Sequence, residues 1–301
     1  MKRLFSYTLL AIIALFVSSC SVDNGTKDQK VLNTNVSTLS KHNVKLEKKI
    51  VVAVIDTGVD VDHNDIKEHL WVSRDGKTNG WNFVDNNNVL TDNVGHGTHI
   101  AGIIASSSSN VSLMVLKYYD SRSSSHKNAF DNSLKALRFA IDNKADVINY
   151  SGGGTGASIE EFELLKEAES KGIIIVSAAG NDSSDIDLNP YYPASYKLSN
   201  IVTVASLDSK GKLSQESNYG HNTVDIAAPG EDVLSSLPGN RHGYLTGTSQ
   251  ATAYITSMIV SMKTLNPKLS CNQIKQNLIT YAENNHKLVV KLALNSATKS
   301  L

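Results

Sequence analysis

Five short apolar runs alternate with helical patterns along this chain of 301 residues. The runs occupy residues 50–55, 111–116, 145–149, 173–178 and 201–205. The helical patterns occupy residues 131–143, 158–171 and 248–265. Apolar runs of this length are typical of strands buried on both faces, and their alternation with helices indicates parallel pairing. The sequence therefore predicts a three-layer α/β fold, in which a doubly wound, mostly parallel sheet has helices on both faces.

The composition limits the number of domains and the class of partner. Hydrophobic residues make up 41% of the chain and charged residues 19%, which is enough apolar material for one large core. The regularly spaced strand and helix patterns indicate one folded domain over residues 50–301, without an internal repeat, and we expect a monomer. The 29 basic and 29 acidic residues balance, without a basic stripe. Nucleic acid is therefore not an expected partner.

Three separated segments each contain one residue of a nucleophilic site. Asp56 lies in VVAVIDTGVD, His96 in GHGTHIAG and Ser249 in GTSQATAYI. A serine hydroxyl attacks a carbonyl only when an imidazole takes its proton, and the imidazole needs a carboxylate that holds its tautomer and balances its charge. Together the three side chains provide what amide hydrolysis through an acyl-enzyme requires.

Each of these residues also has a structural interpretation. Asp56 follows an apolar strand, where acidic residues often cap the next turn. His96 begins a helical pattern, and its neighbours Gly95 and Gly97 favour close backbone approach. Ser249 could be a helix N-cap, although free N–H groups at a helix start also suit a nucleophile. The D-T-G at Asp56 is shared with aspartic peptidases, but no second D-T-G or D-S-G occurs, so that mechanism would require a homodimer.

The order Asp, His, Ser along the chain is that of subtilisin among the known arrangements of this triad. With D-T-G, H-G-T-H and G-T-S all present, the chain resembles the subtilisin-like serine peptidases from about residue 50 to about residue 265. The resemblance implies a subtilisin-like fold and a serine endopeptidase whose triad is Asp56, His96 and Ser249. It implies protein or peptide substrates and no cofactor. A non-catalytic subtilisin-like module that binds peptides is the alternative.

Two further segments match the family's oxyanion and substrate regions. In SAAGND, Asn181 matches the asparagine whose side-chain amide donates to the oxyanion, although an asparagine after a glycine also suits a left-handed turn. The segment VINYSGGG indicates a strand that runs into a Gly-rich edge, with which an extended peptide could pair; a flexible loop is the other interpretation. The resemblance places the substrate-binding residues at Ser151, Gly152, Gly153, Ala178, Ala179 and Gly180.

The chain departs from the family pattern at several positions. After the nucleophile, relatives usually read G-T-S-M-A-x-P-H, whereas this chain has Gln250, Ala253 and Tyr254 at the positions of Met, Pro and His. We expect these changes to affect helix packing more than chemistry. Gly152 stands where relatives often carry a bulky apolar residue, which predicts a more open cleft wall. Residues 106–110 are too few for the loop that holds calcium in many relatives, so we expect no calcium at that place, and we assign no metal ligand among the site residues.

The N-terminus indicates export. Residues 1–20 combine a charged start, an apolar stretch and the small-residue ending V-S-S-C, which is typical of a secretory signal. This junction resembles the lipobox of bacterial lipoproteins, in which the cysteine is lipidated and becomes the first mature residue. We therefore expect a lipid on Cys20 that attaches the protein to a bacterial membrane. A plain signal peptide is the alternative.

The residues after this junction predict a tether. Residues 21–49 are rich in Asn, Ser, Thr, Lys and Asp without sustained apolar periodicity. This stretch is shorter than the folded pro-region of many secreted relatives, so we expect direct folding or a partner in trans. Ser21 stands where lipoproteins of an inner membrane often carry Asp, which favours the outer membrane or cell surface. Cys271 would be the remaining thiol, so no intrachain disulfide could form.

Overall fold

The structure is a computed structural model that describes residues 49–121, 126–283 and 289–290. The chain divides into two units, Met1–Lys49 and Ile50–Leu301. The predicted signal segment, the lipidation site at Cys20 and the tether as far as residue 48 lie outside the described residues, and they stay predictions. Within the described ranges, no helix combines the length and the apolar character needed to cross a membrane.

Ten β-strands and five α-helices, numbered in chain order, make up the described part of the chain. The strands are β1 (Ile50–Asp56), β2 (Gly80–Asn82), β3 (Val111–Lys117), β4 (Val147–Tyr150), β5 (Ile174–Ala178), β6 (Ile201–Leu207), β7 (Ile226–Pro229), β8 (Val233–Leu237), β9 (Arg241–Leu245) and β10 (Val289–Val290). The helices are α1 (His96–Ser106), α2 (His126–Asp142), α3 (Ile159–Ser170), α4 (Thr248–Leu265) and α5 (Cys271–Glu283). All five predicted strands and all three predicted helices are present.

Eight of these strands form one sheet, in the order β10-β7-β6-β5-β4-β1-β3-β2. Neighbouring strands are parallel, except that β10 pairs antiparallel with β7. The strand β1 lies between β4 and β3, so later strands are added on both sides of it. The strands β8 and β9 form a separate antiparallel hairpin. This topology confirms the predicted doubly wound, mostly parallel α/β fold.

Helices cover both faces of the sheet. The odd-numbered residues of β1 pack against α2 and α3 in one core, which includes Leu137 and Leu165. Because side chains alternate along a strand, the even-numbered residues face the other side. On that side, Thr256 of α4 donates a hydrogen bond of 2.8 Å to Asn149 of β4, and α1 packs against α4 and β1. The fold therefore has the three predicted layers.

The carboxyl ends of β1, β4 and β5 share one edge of the sheet. Asp56 is the last residue of β1, Ser151 follows β4 directly, and Asn181 follows the end of β5. In open parallel sheets, ligands bind at this edge. The topology therefore brings the predicted site residues of three strands to the place where a site is expected.

Glu161 of α3 is a carboxylic acid inside the protein, with 1% of its surface exposed. Tyr150 donates a long hydrogen bond of 3.4 Å to its Oε1, and among the described residues its Oε2 has no hydrogen-bond partner. Burial raises the pKa of Glu161 to about 7, although the nearby hydroxyls of Tyr196 and Tyr150 act to lower it. Folded protein therefore holds a proton on Glu161 at pH values where the unfolded chain has released it.

We predict that this acid makes the free energy of unfolding fall as the pH rises from about 4.5 to about 7. In this range the folded state binds one proton more than the unfolded state, so raising the pH favours unfolding. The whole effect corresponds to about 3 kcal/mol at most. Glu161→Gln should remove it and should be more stable than the wild type at alkaline pH. Urea unfolding across this range measures the difference, and an identical pH dependence in both proteins would contradict the prediction.

Candidate active site

A buried carboxylate and a histidine form a pair at the carboxyl end of β1. Asp56 is 3% exposed. Its Oδ1 accepts hydrogen bonds from His96 Nδ1 at 2.7 Å and from the N–H of Thr57 at 2.8 Å. Because Nδ1 carries the proton in this bond, Nε2 presents its lone pair on the opposite side of the ring. The His96 side chain is 31% exposed, so Nε2 is accessible to a group at the surface.

Two glycines allow helix α1 to approach β1 this closely. Gly95 has a φ of 97°, a left-handed conformation that favours glycine. A Cβ atom at Gly97 would lie 2.1 Å from the carbonyl oxygen of Gly58 and 3.1 Å from Asp56 Oδ1. The G-H-G sequence therefore provides the close backbone approach expected for it.

Asp92, which the sequence analysis missed, joins the end of β1 to the start of α1. It is 4% exposed. Its Oδ1 accepts from the Thr57 hydroxyl at 2.9 Å and from the N–H groups of Val94 and Gly95 at 3.0 and 2.8 Å. Its Oδ2 accepts from the N–H and the hydroxyl of Thr98 at 2.8 and 2.7 Å. An acidic residue just before a helix start is the signal for such a cap.

The environment of His96 favours its protonated form. Burial acts to lower the pKa of His96, but the charge and the hydrogen bond of Asp56, together with the charge of Asp92, raise the pKa above its ordinary value of 6.5. The imidazolium that forms when His96 accepts a proton is therefore stabilised. A general base beside a carboxylate requires this property.

Ser249 lies in the first turn of α4, where backbone N–H groups have no partner within the helix. Gly247 precedes the helix with a φ of 155°. Ser249 is 6% exposed, and its hydroxyl donates to the carbonyl oxygen of Ser151 at 3.3 Å. The described residues include no hydrogen bond between this hydroxyl and His96. The structure therefore combines a formed Asp56–His96 bond with a serine that is turned towards the end of β4.

Asn181 is anchored to the same helix start. Its Oδ1 accepts hydrogen bonds from the N–H and the hydroxyl of Thr248, at 2.9 and 3.0 Å. Because an N–H donor requires the amide oxygen, these bonds assign the orientation of the amide and leave Nδ2 available as a donor. This nitrogen lies 3.4 Å from the position that a Cβ atom would take at Gly247. A side-chain N–H donor is therefore held beside the turn that leads into Ser249.

The six predicted substrate-binding residues divide into two groups. The accessible or half-buried ones are Ser151, Gly152 and Gly153, and the buried ones are Ala178, Ala179 and Gly180. In the buried group, the N–H of Ala179 donates to the carbonyl of Val204 at 2.9 Å, and the N–H of Gly180 donates to the Thr248 hydroxyl at 3.3 Å. These two N–H groups therefore donate within the protein. Asn181, the next residue, is exposed.

Gly152 does not leave the cleft wall open. A Cβ atom at this position would lie 2.3 Å from the hydroxyl oxygen of Tyr118 and 3.4 Å from a ring carbon of Tyr150. Tyr118 follows β3, which is separated from β4 by β1 in the sheet. The expectation of a more open wall is therefore wrong, because a tyrosine from another strand end occupies the space beside the glycine.

Comparison with known proteins places the chain in a family. The family described as the subtilase family, peptidase S8, matches residues 47–296. The chain belongs to the subtilase family. Among solved structures, a cold adapted subtilisin-like serine proteinase is similar to this subtilase, with a TM-score of 0.67 and 28% sequence identity over 77% of this chain and 82% of that chain. A lanthipeptide protease has the same TM-score at 22% identity, which supports the fold alone.

Several curated proteins resemble this subtilase in sequence. The major intracellular serine protease of Bacillus subtilis is 33% identical over 231 residues, which are 72% of this chain and 69% of that protein. Thermitase of Thermoactinomyces vulgaris is 35% identical over 217 residues, which are 69% of this chain and 72% of that protein. Subtilisin-like protease 2 of Plasmodium falciparum is 33% identical over 226 residues, which span 16% of its length.

We predict that Gly97→Ala lowers the free energy of unfolding by about 1–3 kcal/mol, because the added methyl group overlaps the carbonyl oxygen of Gly58. Denaturant unfolding of the purified protein measures the change. Gly156→Ala is the matched control, since nothing lies within 4 Å of a Cβ atom at that position. The control should stay within about 0.5 kcal/mol of the wild type. Equal effects of the two substitutions would argue against tight packing of α1 on β1.

Proposed function

We propose that this subtilase is a serine endopeptidase that hydrolyses peptide bonds through an acyl-enzyme on Ser249. The observation that carries the proposal is the 2.7 Å hydrogen bond between His96 Nδ1 and the buried carboxylate of Asp56. This bond supports an imidazole with a fixed tautomer and an Nε2 ready to take a proton. The relatives in sequence, which include serine proteases, support the same activity.

In the proposed mechanism, the hydroxyl of Ser249 turns from the carbonyl of Ser151 to Nε2 of His96. The hydroxyl gives its proton to Nε2 as Oγ bonds to the peptide carbonyl carbon, and Asp56 balances the charge of the imidazolium. His96 then gives this proton to the amine that leaves as the C–N bond breaks. Water, activated in the same way, releases the acyl group and restores the hydroxyl.

In this proposal, two donors stabilise the oxyanion of the tetrahedral intermediate. Asn181 Nδ2 is one, since its amide oxygen is held by Thr248. The backbone N–H of Ser249 is the other, at the positive end of the 18-residue helix α4. Preorganised donors of this kind act where negative charge develops, and losing one typically costs about 10²–10³-fold in kcat.

Residues 151–153 offer an edge for an extended peptide substrate. The next residue, Gly154, is already paired: its N–H donates to the carbonyl of Tyr192 at 2.9 Å, and the N–H of Tyr192 donates back at 2.7 Å. A substrate strand would therefore pair with the segment between Tyr150 and Gly154, next to the carbonyl that accepts from Ser249.

A peptide-binding module without catalysis is the second candidate. The hydrogen bond from Ser249 to Ser151, in place of one to His96, favours it. Against it stands the formed Asp56–His96 bond, since a module that only binds peptides has no use for a general base. Catalytic hydrogen bonds are often loose without substrate, so we favour the enzyme.

We further propose that the protein is attached to the cell envelope through a lipid on Cys20. The support is the sequence of residues 1–20, with its charged start, its apolar stretch and its V-S-S-C ending. The polar residues 21–49 would then separate the peptidase domain from the membrane. The outer membrane or cell surface is the location that we favour. Metabolic labelling with a fatty acid, compared between the wild type and Cys20→Ala, tests this attachment.

We predict that a fluorophosphonate probe labels the soluble protein that begins at Ser21, without the lipidated cysteine, and that Ser249→Ala and His96→Ala abolish labelling. The probe reacts with an activated serine hydroxyl, so labelling requires the base as well as the nucleophile. Circular dichroism of each variant controls for folding. Labelling that persists in folded Ser249→Ala would refute the assigned nucleophile, and a folded wild type without labelling would favour the binding module.

We predict that kcat/KM falls as the pH is lowered through a midpoint above 6.5, because His96 must be neutral to accept a proton and its pKa is raised. Asp56→Asn removes the charge that raises this pKa, so the midpoint should move to lower pH. Loss of the correct tautomer should also lower kcat by about 10⁴-fold. A midpoint that stays the same in Asp56→Asn would show that Asp56 does not act on His96.

A further inference from the structure

A second cluster of ionisable side chains lies outside the proposed triad. His63 and Asp65 belong to the segment after β1, and His242 is in β9. One ligand atom from each of the three residues lies within 4.8 Å of the other two. Asp65 Oδ2 is 2.7 Å from His242 Nε2 and 3.7 Å from His63 Nδ1. Two imidazoles and a carboxylate therefore point at one small volume.

Hydrogen bonds to neighbouring residues orient the side chains of His63 and Asp65. His63 is fully buried, and its Nε2 lies 3.0 Å from the carbonyl oxygen of Arg241. A carbonyl oxygen only accepts, so Nε2 carries the hydrogen. Nδ1, on the side of the cluster, accepts a hydrogen bond of 3.2 Å from the N–H of Asp65, which a bound ion would replace. Asp65 Oδ2 accepts from the Ser236 hydroxyl at 2.8 Å. Contacts of this kind, a ring N–H to a carbonyl and a donor to the carboxylate, are what hold metal ligands in place.

We propose that His63 Nδ1, Asp65 Oδ2 and His242 Nε2 bind a zinc ion. Imidazole nitrogen and carboxylate oxygen are zinc ligands at about 2.0–2.2 Å, which puts neighbouring ligand atoms about 3.3 Å apart in a tetrahedron. The separations of 2.7 and 3.7 Å lie on either side of that value. The side chains of Asp65 and His242 are 44% and 51% exposed, so the ion has an entry path and water can take the fourth position.

The zinc ion would fasten two segments that lead to different parts of the proposed triad. The segment with His63 and Asp65 follows Asp56, and the β8–β9 hairpin leads into Ser249. These segments already touch, because Asp60 accepts from the N–H of Gly239 at 2.8 Å. An ion that binds folded protein alone stabilises it by mass action, so the role we assign to it is structural. This inference goes beyond the proposed function and does not depend on it.

The ligands also explain why a hard cation is the poorer fit. Calcium and magnesium prefer oxygen ligands, and calcium takes six to eight of them. Two of the three groups here are imidazoles, which suit zinc and its neighbours in the transition series. Neither histidine could have been assigned from the sequence, since the distance along the chain between His63 and His242 hides their contact.

Zinc titration of the full chain tests this inference. The protein carries Ser249→Ala to prevent any self-cleavage, and chelation followed by dialysis removes metal beforehand. Calorimetry with zinc chloride should show one site, and the thermal unfolding midpoint should rise by about 5–10 °C at a zinc concentration about 100-fold above Kd. Cobalt at the same site should give the visible absorption of a four-coordinate ion.

His242→Gln is the decisive variant, because its side chain is exposed and its loss should not affect folding. It should weaken zinc binding at least about 100-fold and abolish the stabilisation, and Asp65→Asn should act in the same direction. His221→Gln, which changes another exposed histidine, is the matched control and should bind as the parent does. Parent protein without zinc binding, or equal binding by His242→Gln and the parent, would overturn the proposal.

Discussion

The buried carboxylate of Asp92 fixes where helix α1 begins, and the geometry of the Asp56–His96 pair depends on it. Five hydrogen bonds converge on this carboxylate: one from the Thr57 hydroxyl just after β1, two from the N–H groups of Val94 and Gly95 just before α1, and two from Thr98 in the first turn of α1. A buried charge without such partners would cost several kcal/mol. Because this carboxylate accepts five hydrogen bonds, it holds the end of β1 against the start of α1. The 2.7 Å bond between Asp56 and His96 joins these same two segments.

The sequence was sufficient for the elements that are long and uniformly apolar. Strands β1, β3 and β6 are buried along their whole length, so they appear as continuous runs. Strand β2 has three residues, and the exposed positions of β8 and β9 interrupt any apolar pattern. Such elements form because a neighbouring strand is present. Their existence is a property of the fold, which local residue patterns do not contain.

The site shows the same division between local and non-local information. The motifs around Asp56, His96 and Ser249 could be recognised in the sequence, because each needs glycines and polar groups at fixed spacing. The bulk beside Gly152 comes from Tyr118 at the end of another strand, so the motif alone predicted an open wall where the structure has a tyrosine. Ala178 and Ala179, which were expected near substrate, are buried, and Asn181 further along the same segment is exposed.

The length of the outermost strands of the sheet affects how readily two copies of this protein could aggregate through their sheet edges. At one side the described sheet ends with β2, of three residues, and at the other with β10, of two residues that run antiparallel to β7. Long unpaired edges recruit foreign strands, whereas edges this short offer too few hydrogen bonds to hold one. The proposed peptidase would pair a substrate strand with the segment between Tyr150 and Gly154. Outer strands this short would limit further pairing of that substrate with the described sheet.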